Sequence, residues 1–196
     1  MDGFDALAAL APDEIQVGIL KRLKGTPIIR HDSAWAMVYA AHSPFQVLST
    51  QTMDYALLQK FNRFAKFWDL YANSGNFPGF TQILRDRGAQ NAGSFFRVLW
   101  EFTEYLANRH ADSFGISLLN LVESAWIYGS QEFGLEPDRL REILIADYSA
   151  GKKRDVPHFL RTKSEIAAPA AVNARSAAPA SPILPPRQAR RLQVAP

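Results

Sequence analysis

Met53-Asp-Tyr-Ala-Leu57-Leu-Gln-Lys-Phe61-Asn-Arg-Phe64-Ala-Lys-Phe-Trp68-Asp-Leu-Tyr71 is the stretch whose reading decides the fold. Met53, Leu57, Phe61, Phe64, Trp68 and Tyr71 recur at steps of four and three, and Leu58 and Ala65 widen the stripe. Gln59, Lys60, Asn62, Arg63, Lys66 and Asp69 lie between them. This is the period of an amphipathic helix with one buried aromatic face, about 20 residues long. Ser49-Thr-Gln-Thr-Met-Asp54 supplies hydroxyl caps and an early acidic residue at its start, and Asn73-Ser-Gly-Asn76 ends it.

Working outward, the spacing predicts further helices. A short one spans Pro78 to Arg87, stopped by Gly88. Phe95, Leu99, Phe102 and Leu106 mark another from about Ala92 to Arg109. The segment from Ile116 to Phe133 is apolar on most sides, the pattern of a helix central to a bundle. Pro137 opens a last helix whose buried edge is Leu140, Ile143, Leu144 and Tyr148. Val156-Pro-His-Phe-Leu160 is expected to dock, and Phe4 to Ala11 looks like the end of a helix.

Between that first helix and Met53 the pattern changes. Ile15-Gln-Val-Gly-Ile-Leu20 reads as an apolar strand, stopped by Gly25-Thr26-Pro27, where Gly can take a positive φ and Pro biases Thr26 toward extended geometry. So near the start of the sequence it has little preceding chain to pair with, and it is expected at an exposed edge or paired only with the small hairpin that follows. Trp35–Tyr39 and Phe45–Ser49 are the two arms of that hairpin, joined through His42-Ser-Pro-Phe45. The fold expected is mainly α, of the α+β kind: an N-terminal strand and a small β-hairpin, a bundle of four to five helices, and a disordered C-terminal tail.

The bulk composition fits one domain plus a tail: 196 residues, 47% hydrophobic and 12% aromatic. The tail is rich in Ala and Pro after Thr162, which cannot bury enough apolar area to offset its chain entropy. Nine Lys and Arg against two acids leave the stretch from Gly151 onward at +7 within a net charge of +3, so the preceding 150 residues carry −4. The basic balance belongs to the tail, and a nucleic-acid reading of the folded part gets no support. The N-terminus lacks a basic signal-peptide region, and no apolar run approaches the ~18–20 residues that span a bilayer. A soluble cytoplasmic protein, with no membrane and no nucleic-acid partner, is the expectation.

Chemistry is sparse. The chain has no cysteine, which excludes disulfides, thiolate metal sites and cysteine nucleophiles within it. The histidines His31, His42, His110 and His158 are scattered; His31 and His42 with Asp32 are the one conceivable metal set, but no helical His pair completes it and the spacing favours exposed loop positions. Ser33 or Ser43 with His31 or His42 lacks a nucleophile elbow. Glu101 and Glu104 read as a solvated helix face rather than an acid/base pair. Neither G-x-x-x-x-G-K nor G-x-G-x-x-G occurs. Trp35, Trp68, Trp100 and Trp126 read as core rather than as a cofactor box. No catalytic, cofactor-binding or metal residue is assigned.

Several blocks nevertheless carry a resemblance. Leu20-Lys-Arg-Leu-Lys-Gly25-Thr26-Pro27 resembles the end of a radical SAM barrel, with Lys24 in place of the first proline of a Pro-Gly-Thr-Pro-like turn. Arg30-His-Asp32, Tyr39, Pro44-Phe45, Val47-Leu-Ser-Thr50, Phe64-Ala-Lys-Phe-Trp-Asp69-Leu-Tyr-Ala-Asn73-Ser-Gly75 and Gly151-Lys-Lys-Arg-Asp-Val-Pro-His-Phe-Leu160 are similar to DUF4080, the C-terminal helical region of bacterial B12-binding radical SAM proteins. The resemblance covers about residues 5–160. It implies three parts: 1–29 as a remnant of the barrel's end, 30–160 as the DUF4080-like helical domain with its hairpin, and 161–196 as the disordered basic tail. It further implies an accessory C-terminal domain or fragment that packs on the barrel and shapes its substrate opening without being catalytic alone. S-adenosylmethionine, a [4Fe–4S] cluster and cobalamin are implied for the full-length family, and an N-terminal radical SAM/B12-binding polypeptide as partner. The other function the residues allow is a free-standing helical protein-interaction module.

Overall fold

The computed structural model describes residues 2–110, 115–150 and 154–162. Among these residues six α-helices and one two-stranded hairpin are found. In chain order they are α1 (Asp2–Ala9), β1 (Val38–Tyr39), β2 (Val47–Ser49), α2 (Tyr55–Trp68), α3 (Pro78–Arg87), α4 (Phe95–Arg109), α5 (Leu118–Gln131) and α6 (Pro137–Ser149). Short 3₁₀ turns lie at Pro27–His31 and His158–Leu160, and π turns follow α2 (Asp69–Asn73) and α3 (Gly88–Ala92). Residues up to Arg161 form one compact unit. The tail expected to be disordered lies outside the described residues but for its first two positions.

The helix starts follow from local chemistry. Asp54, Ser94 and Ser117 each accept a backbone N–H three residues on, the bond that satisfies an otherwise orphaned donor of the first turn. Pro78 and Pro137 sit at first-turn positions where their missing N–H is not needed. The π turn after α2 inserts a residue into the helical stagger. It keeps Tyr71 buried and delivers Asn73 to the N-terminal segment.

The core is an aromatic seam between α2 and α4. Phe64, Phe96 and Trp100 pack with ring centroids 4.9–5.8 Å apart, and Phe4 of α1 meets Phe64 and Trp68 edge-on at 5.5 and 5.1 Å. Tyr71, Phe77, Phe80 and Phe102 continue it toward α3, and Tyr128 joins from α5. Each such fully buried ring contributes about 1.5–3 kcal/mol relative to exposure. Asp5 of α1 fastens α4: its carboxylate accepts the Phe96 N–H at 2.7 Å and the Ser94 hydroxyl at 2.6 Å.

The sequence placed the 116–133 helix at the centre, and the structure places α4 there instead. α4 buries seven residues and touches α1, α2, α3 and α5, whereas α5 leaves Leu119 44% exposed. Apolar composition counts side chains without saying which face has neighbours, and α5 has helices on only part of its circumference. It approaches α6 closely through Gly129, where a Cβ would lie 2.8 Å from the Leu140 Cδ2.

The second correction concerns residues 15–20, which form no regular strand. They run extended with alternating burial, Ile15, Val17 and Ile19 inward and Gln16, Gly18 and Leu20 exposed. A strand is defined by a partner's ladder, and along 16–19 none is present among the described residues. Only the end of the run pairs, through a single bridge from Lys21 to Gln46. The hairpin itself forms where expected, with shorter arms, Val38 opposite Ser49 and Tyr39 opposite Val47.

Buried charge is rare in this body. Asp147 of α6 is 4% exposed, and its two oxygens accept the N–H groups of Gly79 and Phe80, each at 2.9 Å, at the start of α3. Burial raises the pKa of this carboxyl, and the two N–H bonds oppose the rise. A Cβ on Gly79 would come within 2.7 Å of Ile143 Cγ2, so the α3–α6 contact needs glycine there. Asp147→Ala is expected to lower unfolding free energy by roughly 2–4 kcal/mol in chemical denaturation, because two buried donors lose a charged acceptor. Gly79→Ala should destabilise the same contact, read as a lowered denaturation midpoint.

Candidate functional site

Leu20 to Thr26 lies alongside the hairpin as a third extended segment. The Val47 N–H donates to the Leu20 carbonyl and the Arg22 N–H to the Phe45 carbonyl, both at 2.9 Å. Gly25 takes φ +81°, which few other residues tolerate, and turns the chain. Thr26 closes that turn, with its N–H at 3.2 Å and its hydroxyl at 2.7 Å from the Leu23 carbonyl. The chain then passes through Pro27–His31 into β1.

These pieces enclose an open groove of about 950 Å³, lined by Leu23, Ile29, Met37, Val38 and Phe45 with Arg22 and Lys24 at its rim. Two other hollows, of about 120 and 200 Å³, are far smaller. Ten large apolar residues are exposed among the described residues, and six fall between 20 and 45: Leu20, Leu23, Ile29, Trp35, Val38 and Phe45. Scattered single exposures need no explanation, but this concentration on one short segment makes it the candidate site. Arg22 is fixed there by Asp32 at 3.2 Å and lies 5.5 Å from the centre of the Tyr39 ring. The Tyr39 hydroxyl donates to Met37 Sδ at 3.3 Å, and burial followed by the Asp32 charge raises its pKa. The groove therefore combines apolar side chains with the basic residues Arg22 and Lys24.

The residues singled out from sequence do not converge. Asp32 engages Arg22, His31 accepts from Arg30 Nε at 3.0 Å, and His42 is exposed. Among the described residues no cluster of three His, Asp or Glu side chains could hold a metal. Neither Ser33 nor Ser43 bonds a histidine. Glu104 reaches across to α2 and pairs with Lys60 at 2.6 Å, while Glu101 stays exposed. Trp68 is core, as expected, but Trp35 is 51% exposed, a correction to reading all four tryptophans as interior. It belongs to a segment with no helix packed over it.

One Ser–His pair escaped the sequence reading. His110 Nε2 lies 2.9 Å from Ser124 Oγ, and Ser124 is fully buried. The Ser124 hydroxyl donates to the Asn120 carbonyl at 2.8 Å, so its one proton is committed and it accepts from His110. A serine so placed ties the end of α4 to α5 and has no means to act as a nucleophile.

A second anchoring contact fixes the start of the extended segment. The Ile15 carbonyl accepts from Trp68 Nε1 at 2.7 Å and from Asn73 Nδ2 at 3.0 Å, and the Ile15 N–H donates to Asn73 Oδ1 at 3.4 Å. Two side chains thus supply what a neighbouring strand would.

These features define a mainly helical domain with a small hairpin and an open, largely apolar groove beside it. The chain belongs to the family described as protein of unknown function, DUF4080, which it matches over residues 33–180. No curated protein and no solved structure matches it. No helix among the described residues is long and apolar enough to cross a membrane.

Two measurements test this description. Burial and then the Arg109 charge hold the His110 pKa below its ordinary 6.5, with Glu123 opposing. The unfolded chain therefore takes up this proton first, and the stability it contributes is present above pH 6.5 and lost as pH falls through the folded value. The melting temperature should drop between about pH 7 and 5, and His110→Gln, which keeps a donor toward Ser124, should flatten part of that drop. Asn73→Ala should cost roughly 1–3 kcal/mol, seen in denaturant melts, by leaving the Ile15 backbone short of partners.

Proposed function

We propose that this chain is the C-terminal accessory domain of a B12-binding radical SAM enzyme, packing on the barrel and shaping its substrate opening, and not catalytic alone. The observation that carries the reading is the run of six exposed apolar side chains between Leu20 and Phe45, which begins within the segment that resembles the end of a barrel and continues into the hairpin. Membership of the DUF4080 family supports it from a separate direction. An iron–sulfur cluster needs thiolate ligands, and this chain has no cysteine, so the residues present do not fit that group and no step of radical chemistry is assigned to them. S-adenosylmethionine, the cluster and cobalamin would belong to the partner polypeptide. What this chain supplies is a preformed surface: Leu23, Ile29 and Val38 as apolar anchors, with Arg22 and Lys24 orienting an acidic counterpart.

Mixing the full chain with a cobalamin-binding, cysteine-bearing radical SAM polypeptide encoded by the same genome should give a stable complex by size exclusion with light scattering. Leu23→Asp combined with Ile29→Asp should weaken it roughly 30- to 1,000-fold, at ~1–2 kcal/mol per lost anchor. The circular dichroism of the helices should not change, since both side chains are more than half exposed. Failure of the unaltered chain to bind any such polypeptide would refute the proposal.

A further inference from the structure

We infer that Gln16–Leu23 is an open strand edge that takes up a β-strand of a partner polypeptide through main-chain hydrogen bonds. The inference deepens the reading above by naming how docking occurs, and it rests on that reading only for the partner's identity.

Three observations carry it. First, the stretch already has strand character without a ladder: burial alternates with period two from Ile15 to Leu20, and the backbone of 16–19 has no hydrogen-bond partner among the described residues. Second, where the stretch does pair, it is saturated on one side only. Leu20 and Arg22 direct their backbone groups to Val47 and Phe45, and around this narrow antiparallel bridge Lys21 must point its own N–H and C=O the opposite way. Third, the stretch is held at both ends, by the Asn73 and Trp68 bonds to Ile15 and by the hairpin at Leu20 and Arg22. An edge already extended and anchored loses little conformational freedom on pairing.

Charge selects the occupant. Lys21 and Lys24 are exposed and Arg22 is engaged by Asp32, so no acid of this segment is left to balance the two lysines. A second copy of the chain pairing antiparallel about Lys21 would set two lysines side by side, and like charges opposite one another destabilise a ladder. The fitting partner is an apolar strand carrying acidic residues, its alternate side chains entering the groove beside Leu23 and Val38.

Hydrogen exchange of the full chain, alone and with the cobalamin-binding radical SAM polypeptide, tests this. In the free chain the amides of Val17, Ile19 and Lys21, which alternate toward the open side, should exchange near the unstructured rate; in the complex they should slow at least 100-fold. Lys21→Pro, which deletes the outward N–H, should weaken binding tenfold or more, while Lys21→Ala should stay within threefold and both should keep the helical circular dichroism. A complex that forms with these amides unprotected would overturn strand addition and leave the proposed function standing. If no complex forms, the proposed function falls, and a nine-residue peptide alternating Val and Thr with two Glu becomes the probe. Protection of the same amides by that peptide supports the open edge, and none at millimolar peptide overturns it. Dimerisation of the free chain with these amides already protected would also overturn it, by showing a second copy in the place assigned to a foreign strand.

Discussion

The carbonyl of Ile15, held by Trp68 and Asn73, is the contact on which the course of the extended segment from Ile15 to the hairpin depends. An extended chain laid on a helical body has no ladder to satisfy its backbone, and a buried orphan carbonyl is costly. Two side chains from the end of α2 and its π turn answer that need, and they do so at the one point of the stretch that is buried. From there the chain can run outward as far as the hairpin with its remaining groups in water. Remove the clamp and nothing fixes where residues 16–23 lie; keep it and their direction is set.

The helical body supplies the rigidity that makes such a clamp useful. Its aromatic seam joins α1, α2 and α4 through Phe4, Phe64, Trp68 and Phe96, so the residues that grip Ile15 are themselves locked in the core. Charged groups are used inside this body as fasteners. Asp5 caps α4 from α1, and Asp147 caps α3 from α6, each binding two donors where a helix start would otherwise leave them unpaired. The same reasoning disposes of the Ser124–His110 pair, whose proton is already spent on a backbone carbonyl.

The groove between Leu23 and Phe45 is lined mainly by apolar side chains together with Arg22 and Lys24, the surface on which the proposed function rests. None of this was visible as a site from the sequence. Arg22 and Lys24 fall in the block that resembles a barrel's end, but that resemblance marks no groove, and Ile29 and Val38 carry no motif; the one further signal is a surplus of large apolar residues on a segment with no helical face to bury them.

What the sequence determined by itself is everything governed by local chemistry and by the 3.6-residue period. The span of α3, the start of α2 after the Ser49–Asp54 run, the proline starts of α3 and α6 and the place of the hairpin depend on neighbours within a few residues, so they are written in the string. The tertiary structure alone decided the matters that depend on who stands opposite. It chose α4 over α5 as the central helix, since apolar composition cannot say which faces meet. It left Trp35 exposed and paired His110 with Ser124, fourteen residues away on another helix. Above all it decided that Ile15–Leu20 is extended but not laddered. Alternation of apolar residues specifies a conformation of one chain, whereas a strand is a relation between two, and the second is not present among the described residues.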